Sequence, residues 1–208
     1  AVKNTSIVNA TIIGSLQPIL VGVIAARFFG EKIRGLDAIW SLVALAGVVV
    51  IITTATSDDV SNIKGDLLAV GAMFAWSAYF VASKQSKGKV TPTEFTAGTA
   101  LWTALIVTPL GFAFGQDMTW PTWTNWGLLA AMSIGSGIIG HVLMNWSLVR
   151  IPLWVGSTFT LLIPVFSAII AWVFLDEVIV FRQALGIGVV IGSLAVIVRG
   201  QSAAAKSA

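Results

Sequence analysis

The chain has 208 residues, of which 57% are hydrophobic and only 10% are charged, and its formal net charge is +3. A soluble domain carries about 25% charged residues, so this chain has too little polar surface to form a water-exposed globule. The absence of cysteine excludes disulfides, thiol catalysis and zinc–thiolate sites within it. The basic residues sit in loops, as in membrane proteins, and no nucleic-acid partner is expected.

Seven uncharged runs follow one another along the chain. A stretch of roughly 20 apolar residues crosses the bilayer core as a helix. The sequence therefore predicts an all-α fold, a polytopic membrane helix bundle with seven visible transmembrane helices. The runs cover residues 4–26, 38–57, 67–83, 95–116, 118–149, 151–175 and 183–198.

The loop charges predict an orientation. If the loop 27–37 is cytoplasmic and the spans alternate, basic residues concentrate on the cytoplasmic side, as the positive-inside rule requires. The first span then runs from outside to inside, and the C-terminus is cytoplasmic. The cytoplasmic set is Arg27, Lys32, Arg34, Lys84, Lys87, Lys89, Arg150, Arg199 and Lys206, and the opposite set is Lys3, Lys64 and Arg182.

Two distant stretches repeat one pattern. "QPILVGVIAARFFGE" (17–31) and "IPVFSAIIAWVFLDE" (163–177) share a proline and a glutamate at equal spacing, with an offset of 146. The predicted topology puts Glu31 inside and Glu177 outside, so the two units are inverted, as in many secondary transporters. The alternative is that two apolar helices resemble each other by composition alone. The offset pairs Thr11 with Ser157, Pro18 with Pro164, Ala25 with Ala171, Phe28 with Phe174 and Ala38 with Ala184.

Three segments resemble the EamA-like drug/metabolite transporters. "FFGEKI" and "FLDEVI", which contain the two glutamates, resemble the signature of that family, and "VFRQALGIGVVIGSLAV" resembles its continuation. "KGDLLAVGAMFAWSAYFVASK" (64–84) resembles the opening helix of its second repeat. Asp37, Trp40 and Asp176 depart from the family pattern, so the two loop glutamates need not act alike.

The resemblance implies ten helices in two inverted five-helix repeats. Residues 1–57 would be the last two helices of the first repeat, 64–200 a complete second repeat, and 201–208 a cytoplasmic tail. It also implies a multi-pass protein of the inner (plasma) membrane that moves an amino acid or related metabolite, in the export direction, by alternating access. Seven spans might otherwise suggest a retinal receptor, but no lysine lies inside any span.

Polar residues inside spans are costly and therefore indicate sites. His141, the only histidine, and Asn145 share a helical face and are predicted to bind a substrate carboxylate or carbonyl. The alternative is that His141 bonds the backbone of a neighbouring helix.

Two stripes accompany the paired prolines and are predicted to line the pathway, with Pro18 and Pro164 as hinge or pathway residues. A proline frees a carbonyl, which is tolerated where it meets protein or a water-filled cavity. Interhelical packing is the alternative. The first stripe is Thr11, Ser15, Pro18 and Gly22, with Gln17 beside it, and the second is Ser157, Thr160, Pro164 and Ser167.

Aromatic and acidic residues complete the candidates. Trp76 and Tyr79, three apart, share a face and are predicted to stack against or shape a solute, unless they only pack or contact lipid. Trp102 joins them if it faces inward. Glu31 and Glu177 are predicted to be helix-end charge anchors, with a gating role as the alternative.

Other functions lack support in the sequence. Ser136 and His141 lie five apart on one helix and diverge, so no enzyme is expected, and neither a cofactor, an ATP-binding loop nor a metal cluster is predicted. Gly188 and Gly192 form a GxxxG pattern that predicts close helix packing. The partners are a small-molecule solute and the lipid bilayer, and a homodimer is left open. The alternative function is a receptor or assembly subunit whose polar faces only pack.

Overall fold

A computed structural model describes residues 5–55, 63–115, 119–174 and 176–206. Within these ranges every regular element is a helix and no strand occurs, which confirms the all-α prediction. The α-helices are α1 Ile7–Ser15, α2 Gln17–Phe29, α3 Gly35–Ala55, α4 Ile63–Gln85, α5 Pro92–Ala113, α6 Trp123–Met132, α7 His141–Leu148, α8 Leu153–Thr158, α9 Ile163–Phe174 and α10 Phe181–Lys206.

Seven helical stretches of the described chain are long and apolar enough to cross a membrane, in agreement with the seven predicted spans. The first and sixth spans each join two helices end to end, and the fifth contains a π-helical segment, Ser133–Gly140. In order, the spans are Val8–Phe29, Gly35–Thr54, Ile63–Gln85, Pro92–Ala113, Trp123–Leu148, Leu153–Phe174 and Phe181–Ala203.

The chain forms two compact units. The first combines the described residues up to Tyr79 with those from Pro152 onward, and the second is Phe80–Ile151. In the second unit α5 begins with a capping box, in which Thr91 Oγ1 accepts from Glu94 N at 3.2 Å and Glu94 Oε2 accepts from Thr91 N at 2.7 Å. This reciprocal pair satisfies two amides that a helix start leaves without partners.

The first unit repeats its local structure at the offset of 146. Helix α1 begins at Ile7 and α8 at Leu153, and α3 begins at Gly35 and α10 at Phe181. The first and second spans thus correspond to the sixth and seventh, with helices that begin at matching residues. The correspondence extends from residue identity to backbone conformation, which composition alone does not explain.

The turns after α2 and α9 correspond as well. Gly30 has φ 64° and Asp176 has φ 54°, so both occupy the left-handed region. Glycine adopts this region without strain, whereas a side chain is penalised there, although least for Asn and Asp. The departure of Asp176 from the family's glycine is therefore a local cost.

We expect Asp176→Gly to stabilise the protein and Gly30→Asp to destabilise it. Removing the side chain relieves about 1 kcal/mol of backbone strain, which corresponds to a melting temperature about 3 °C higher for a chain of this size. Thermal unfolding in detergent, followed by tryptophan fluorescence, measures both variants. A lower melting temperature for Asp176→Gly would contradict the assignment.

Helices α3 and α10 cross at two glycines. A Cβ added at Gly186 would lie 2.8 Å from the carbonyl oxygen of Gly47, and one added at Gly47 would lie 3.0 Å from the carbonyl oxygen of Gly186. Small residues let helix backbones approach this closely. The prediction of packing at Gly188 and Gly192 is wrong for the described chain, because a Cβ at either meets nothing within 4 Å.

A buried acid ties the same two helices at one end. Asp37, 1% exposed, accepts from Gln201 Nε2 at 2.9 Å and lies 3.8 Å from Arg34 Nε. Arg34 also donates from Nη1 to the carbonyl of Gly200 at 3.0 Å. The acid that departs from the family pattern thus serves as an anchor between the start of α3 and the last turns of α10.

Candidate functional site

The first and sixth spans break at corresponding points. A turn at Leu16 separates α1 from α2 just before Pro18, and a 3₁₀ segment, Phe159–Leu162, separates α8 from α9 just before Pro164. Proline has no amide hydrogen, so the carbonyl four residues earlier loses its α-helical partner. Those carbonyls belong to Gly14 and Thr160, which are themselves mates at the offset of 146.

A cavity of about 180 Å³ lies at these breaks. This volume suits a small organic solute. All of its lining residues are uncharged, so it can recognise a ligand only through dipoles, hydrogen bonds and apolar contact. They are Thr11, Gly14, Ser15, Gln17, Trp76, Thr160, Ile163 and Pro164.

Gln17 is the strongest polar group of this cavity. Its side chain is 1% exposed, and Oε1 lies 3.3 Å from Thr160 Oγ1, while Nε2 has no hydrogen-bond partner within the described residues. A buried donor without a partner costs about 1–3 kcal/mol. A bound solute that supplies an acceptor would recover that cost.

Trp76 forms an aromatic wall of the cavity. Its ring stacks on that of Tyr79 with centroids 5.2 Å apart and planes within 2°. Trp76 lines the cavity, whereas Tyr79 does not. The two rings therefore form a stacked pair, of which Trp76 lines the cavity, and their contact with a solute stays a prediction.

The two predicted stripes do not stay together. Pro18 and Gly22 line a separate apolar cavity of about 330 Å³, together with Trp154 and Thr158. Ser157 is fully buried, is not part of either lining, and donates from Oγ to the carbonyl of Trp154 at 2.8 Å. The structure thus brings together Gln17, Thr160 and Pro164, and places Ser157 among backbone contacts.

His141 and Asn145 belong to the second unit. Asn145, 1% exposed, donates from Nδ2 to Thr96 Oγ1 at 3.0 Å, which joins α7 to α5. His141 Nδ1 lies 2.8 Å from the carbonyl oxygen of Ser136, and since a carbonyl only accepts, the ring nitrogen is the donor in this hydrogen bond. This histidine nitrogen therefore bonds a backbone carbonyl of its own helix, at the π-helical segment Ser133–Gly140.

The two loop glutamates differ in their surroundings. Glu31 accepts from the backbone amides of Leu153 at 2.8 Å and Trp154 at 3.2 Å, through its two carboxylate oxygens. It therefore caps the first turn of α8, a partner that its sequence neighbours, all basic or apolar, do not indicate. Glu177 is exposed.

Metal binding has no site in the described part of the chain. No group of three or more His, Cys, Asp or Glu side chains comes together there. What the cavity at the breaks offers instead is an amide, hydroxyl groups and an aromatic face, the set of groups that orients a small polar molecule in an otherwise apolar pocket.

Known proteins with similar sequences are bacterial exporters and transporters. The aromatic amino acid exporter YddG of Ancylobacter novellus is 28% identical over 151 residues, which cover 71% of this chain and 51% of the exporter. The threonine/homoserine exporter RhtA of Escherichia coli K12 is 25% identical over 172 residues, 83% of this chain and 57% of RhtA. The chain thus spans little more than half the length of these relatives.

A solved crystal structure has the same fold. It superposes with a TM-score of 0.78 at 26% identity and covers 94% of this chain and 68% of the other. The family model of the EamA-like transporters matches residues 63–199. The match confirms the resemblance seen in the motifs and the expectation of a transporter family rather than an enzyme family. This chain belongs to the EamA-like transporter family.

Proposed function

We propose that this chain forms part of a secondary transporter that exports an amino acid or a related metabolite by alternating access. The observation that carries the proposal is the uncharged cavity at the paired helix breaks, with the buried amide of Gln17 and the ring of Trp76 in its wall. Broken spans at corresponding positions of inverted repeats are where secondary transporters bind their solutes.

The chemistry of the cavity supports a solute without net charge, such as a zwitterion. Burying an unpaired ionic group is costly, and no lining residue offers a compensating charge. The unpartnered amide nitrogen Nε2 of Gln17 suits a carboxylate oxygen, and the face of the Trp76 ring suits an ammonium group. The similarity to YddG and RhtA, both amino acid exporters, supports the same solute class and the export direction.

The proposed architecture has ten helices. Residues 1–57 supply the last two helices of a first repeat, 64–200 form the second repeat, and 201–208 form a cytoplasmic tail. The corresponding helix starts and left-handed turns support the repeat, and the distribution of loop charges supports a cytoplasmic C-terminus in the inner membrane. We also propose that His141 and Asn145 contact the solute from the second repeat. Glu31 and Glu177 are proposed to anchor the ends of their helices. Self-association is left open.

Efflux from proteoliposomes tests the function. The complete gene product that contains this chain is reconstituted, the vesicles are loaded with one labelled amino acid at a time, and its release is followed against empty vesicles. We expect release of at least one amino acid, and Gln17→Ala should lower kcat/KM about tenfold, because a buried hydrogen bond contributes about 1 kcal/mol or slightly more.

Gln85→Ala is the matched control. Gln85 is exposed at the end of α4, so the same truncation there should leave efflux unchanged. If no amino acid moves faster than in empty vesicles, the transport proposal fails and a non-transporting membrane role is favoured. If efflux occurs but Gln17→Ala and Gln85→Ala behave alike, the transport function stands and the cavity assignment fails.

A further inference from the structure

The docking of Glu31 closes one end of the first unit. Its carboxylate accepts from the amides of Leu153 and Trp154, so the end of α2 is bound to the start of α8, and the two helices pack together. A carboxylate at a helix start is favourable, because the first amides have no partners within the helix and the helix dipole is positive there. Glu31 therefore acts as a latch, a side-chain contact that holds the end of α2 to the start of α8.

Glu177 is presented by the same backbone device. The amide of Glu31 donates to the carbonyl of Ala25 at 3.2 Å, and the amide of Glu177 donates to the carbonyl of Ala171 at 3.3 Å. Both glutamates follow a residue in the left-handed region, Gly30 or Asp176. The backbone amide of each glutamate thus bonds the carbonyl six residues earlier.

At the offset of 146, the amides of Leu153 and Trp154 that Glu31 binds correspond to those of Ile7 and Val8. They open α1, which begins at the residue corresponding to the start of α8. At this helix start the hydroxyl of Ser6 accepts from Asn9 N at 3.0 Å, and the amides of Ile7 and Val8 remain first-turn donors. The carboxylate of Glu177 is exposed and takes no hydrogen bond or ion pair within the described residues. The contact of Glu31 with α8 is therefore formed, whereas the corresponding contact of Glu177 with the first amides of α1 is not.

We propose that Glu31 and Glu177 are alternating latches. In the conformation described here Glu31 binds the start of α8, and the exposed carboxylate of Glu177 is not docked on a helix. In the opposite conformation of the transport cycle, Glu177 docks on the amides of Ile7 and Val8, and Glu31 releases those of Leu153 and Trp154. The inference rests on the proposed transport function for its meaning, but it is a statement about conformation and can be tested without a solute.

Two cysteine pairs report the two latches separately. Lys32→Cys with Pro152→Cys places one thiol beside Glu31 and one beside the amides it binds. Val178→Cys with Ser6→Cys is the pair at the corresponding positions. The 208 residues contain no cysteine, and any cysteine elsewhere in the gene product is replaced. Each pair is introduced into the complete protein in membranes, and the yield of cross-linking with a short bifunctional thiol reagent is measured.

The latches should exchange. Glu31→Ala should lower cross-linking of 32 with 152 and raise that of 6 with 178, and Glu177→Ala should do the reverse. Since a helix cap contributes about 1 kcal/mol or somewhat more, the ratio of the two yields should shift about five- to tenfold in opposite directions. Glu31→Gln and Glu177→Gln, which keep an acceptor without the charge, should give smaller shifts of the same sign.

A structural role alone predicts a different pattern. If both glutamate substitutions lower both cross-links, or if positions 6 and 178 never cross-link in any variant, the proposal is overturned. Efflux measured on the same preparations separates the two hypotheses. If transport is intact but the two cross-links do not change in opposite directions, the latch proposal is wrong and the transport function stands. If they do change in opposite directions but no amino acid is transported, the latch proposal is supported and the proposed function is not.

Discussion

Gly186→Leu is expected to prevent stable packing of α10 on α3. A side chain at this position would overlap the carbonyl of Gly47 and Cγ1 of Ile51, both 2.8 Å from the new Cβ. Backbone on the facing helix cannot move aside as a flexible side chain can, so overpacking should cost about 3 kcal/mol. For a chain of this size that is a melting temperature lowered by about 10 °C, measured in detergent together with the yield of monodisperse protein.

The same helix provides the control. Gly188→Leu adds an identical side chain two residues away, where a Cβ meets nothing within 4 Å, and should change the melting temperature by less than about 3 °C. Equal losses for the two variants would show that the helix pair is not held by the contact of Gly47 and Gly186.

Trp76→Ala should give the largest loss of transport among single substitutions in the cavity. It removes the aromatic wall of the cavity and the stack on Tyr79. Loss of apolar contact with the solute and of an aromatic pair amounts to about 3 kcal/mol, or about 100-fold in kcat/KM. Trp76→Phe keeps a ring in place and should retain most of the activity in the same efflux assay.

Trp102→Ala is the matched control substitution for that experiment. The Trp102 ring is 65% exposed, so it does not support the idea of a third aromatic in the cavity wall. The variant should transport at the wild-type rate. If Trp102→Ala and Trp76→Ala lose activity equally, replacing a tryptophan lowers transport by destabilising the protein, and Trp76 has no specific role in binding the solute.

The spans and their repeat could be predicted because both depend on local composition and spacing. Uncharged runs of bilayer length are unambiguous in lipid, where a helix satisfies its own backbone groups. The proline and glutamate at equal spacing then predicted mates at an offset of 146, and the helix starts at Ile7 and Leu153 follow that offset. The repeat could be recognised from sequence because its proline and glutamate lie within one short stretch of each unit.

Tertiary contacts could not be predicted in the same way. Which glycine of "GIGVVIG" meets the facing helix depends on the rotation of α10 against α3, and the contact falls on Gly186 instead of Gly188 or Gly192. The partner of Glu31 lies 122 residues away at the start of α8, so its basic neighbours in sequence gave no signal. The π-helical segment at Ser133–Gly140 likewise has no pattern in sequence beyond its small residues.

The candidate site was predicted in part. Gln17, Thr160 and Pro164 meet at one cavity because they flank the breaks next to the prolines, and Trp76 of α4 adds an aromatic wall to it. Ser157 shares the helical stripe of Thr160, but a 3₁₀ segment begins between them and rotates the following residues relative to α8. Periodicity assumes an unbroken α-helix, so it fails first at the break, which is where the cavity lies.

Solute protection of a cysteine at position 160 tests the central claim most directly. In the complete protein, with Thr160→Cys as the sole cysteine, the amino acid identified by efflux should slow alkylation by a small thiol reagent about fivefold at four times its Kd. Ser41→Cys, in the separate apolar cavity, should react at a rate that the solute does not change. Equal protection at both positions, or none at position 160, would contradict a solute site at the paired helix breaks.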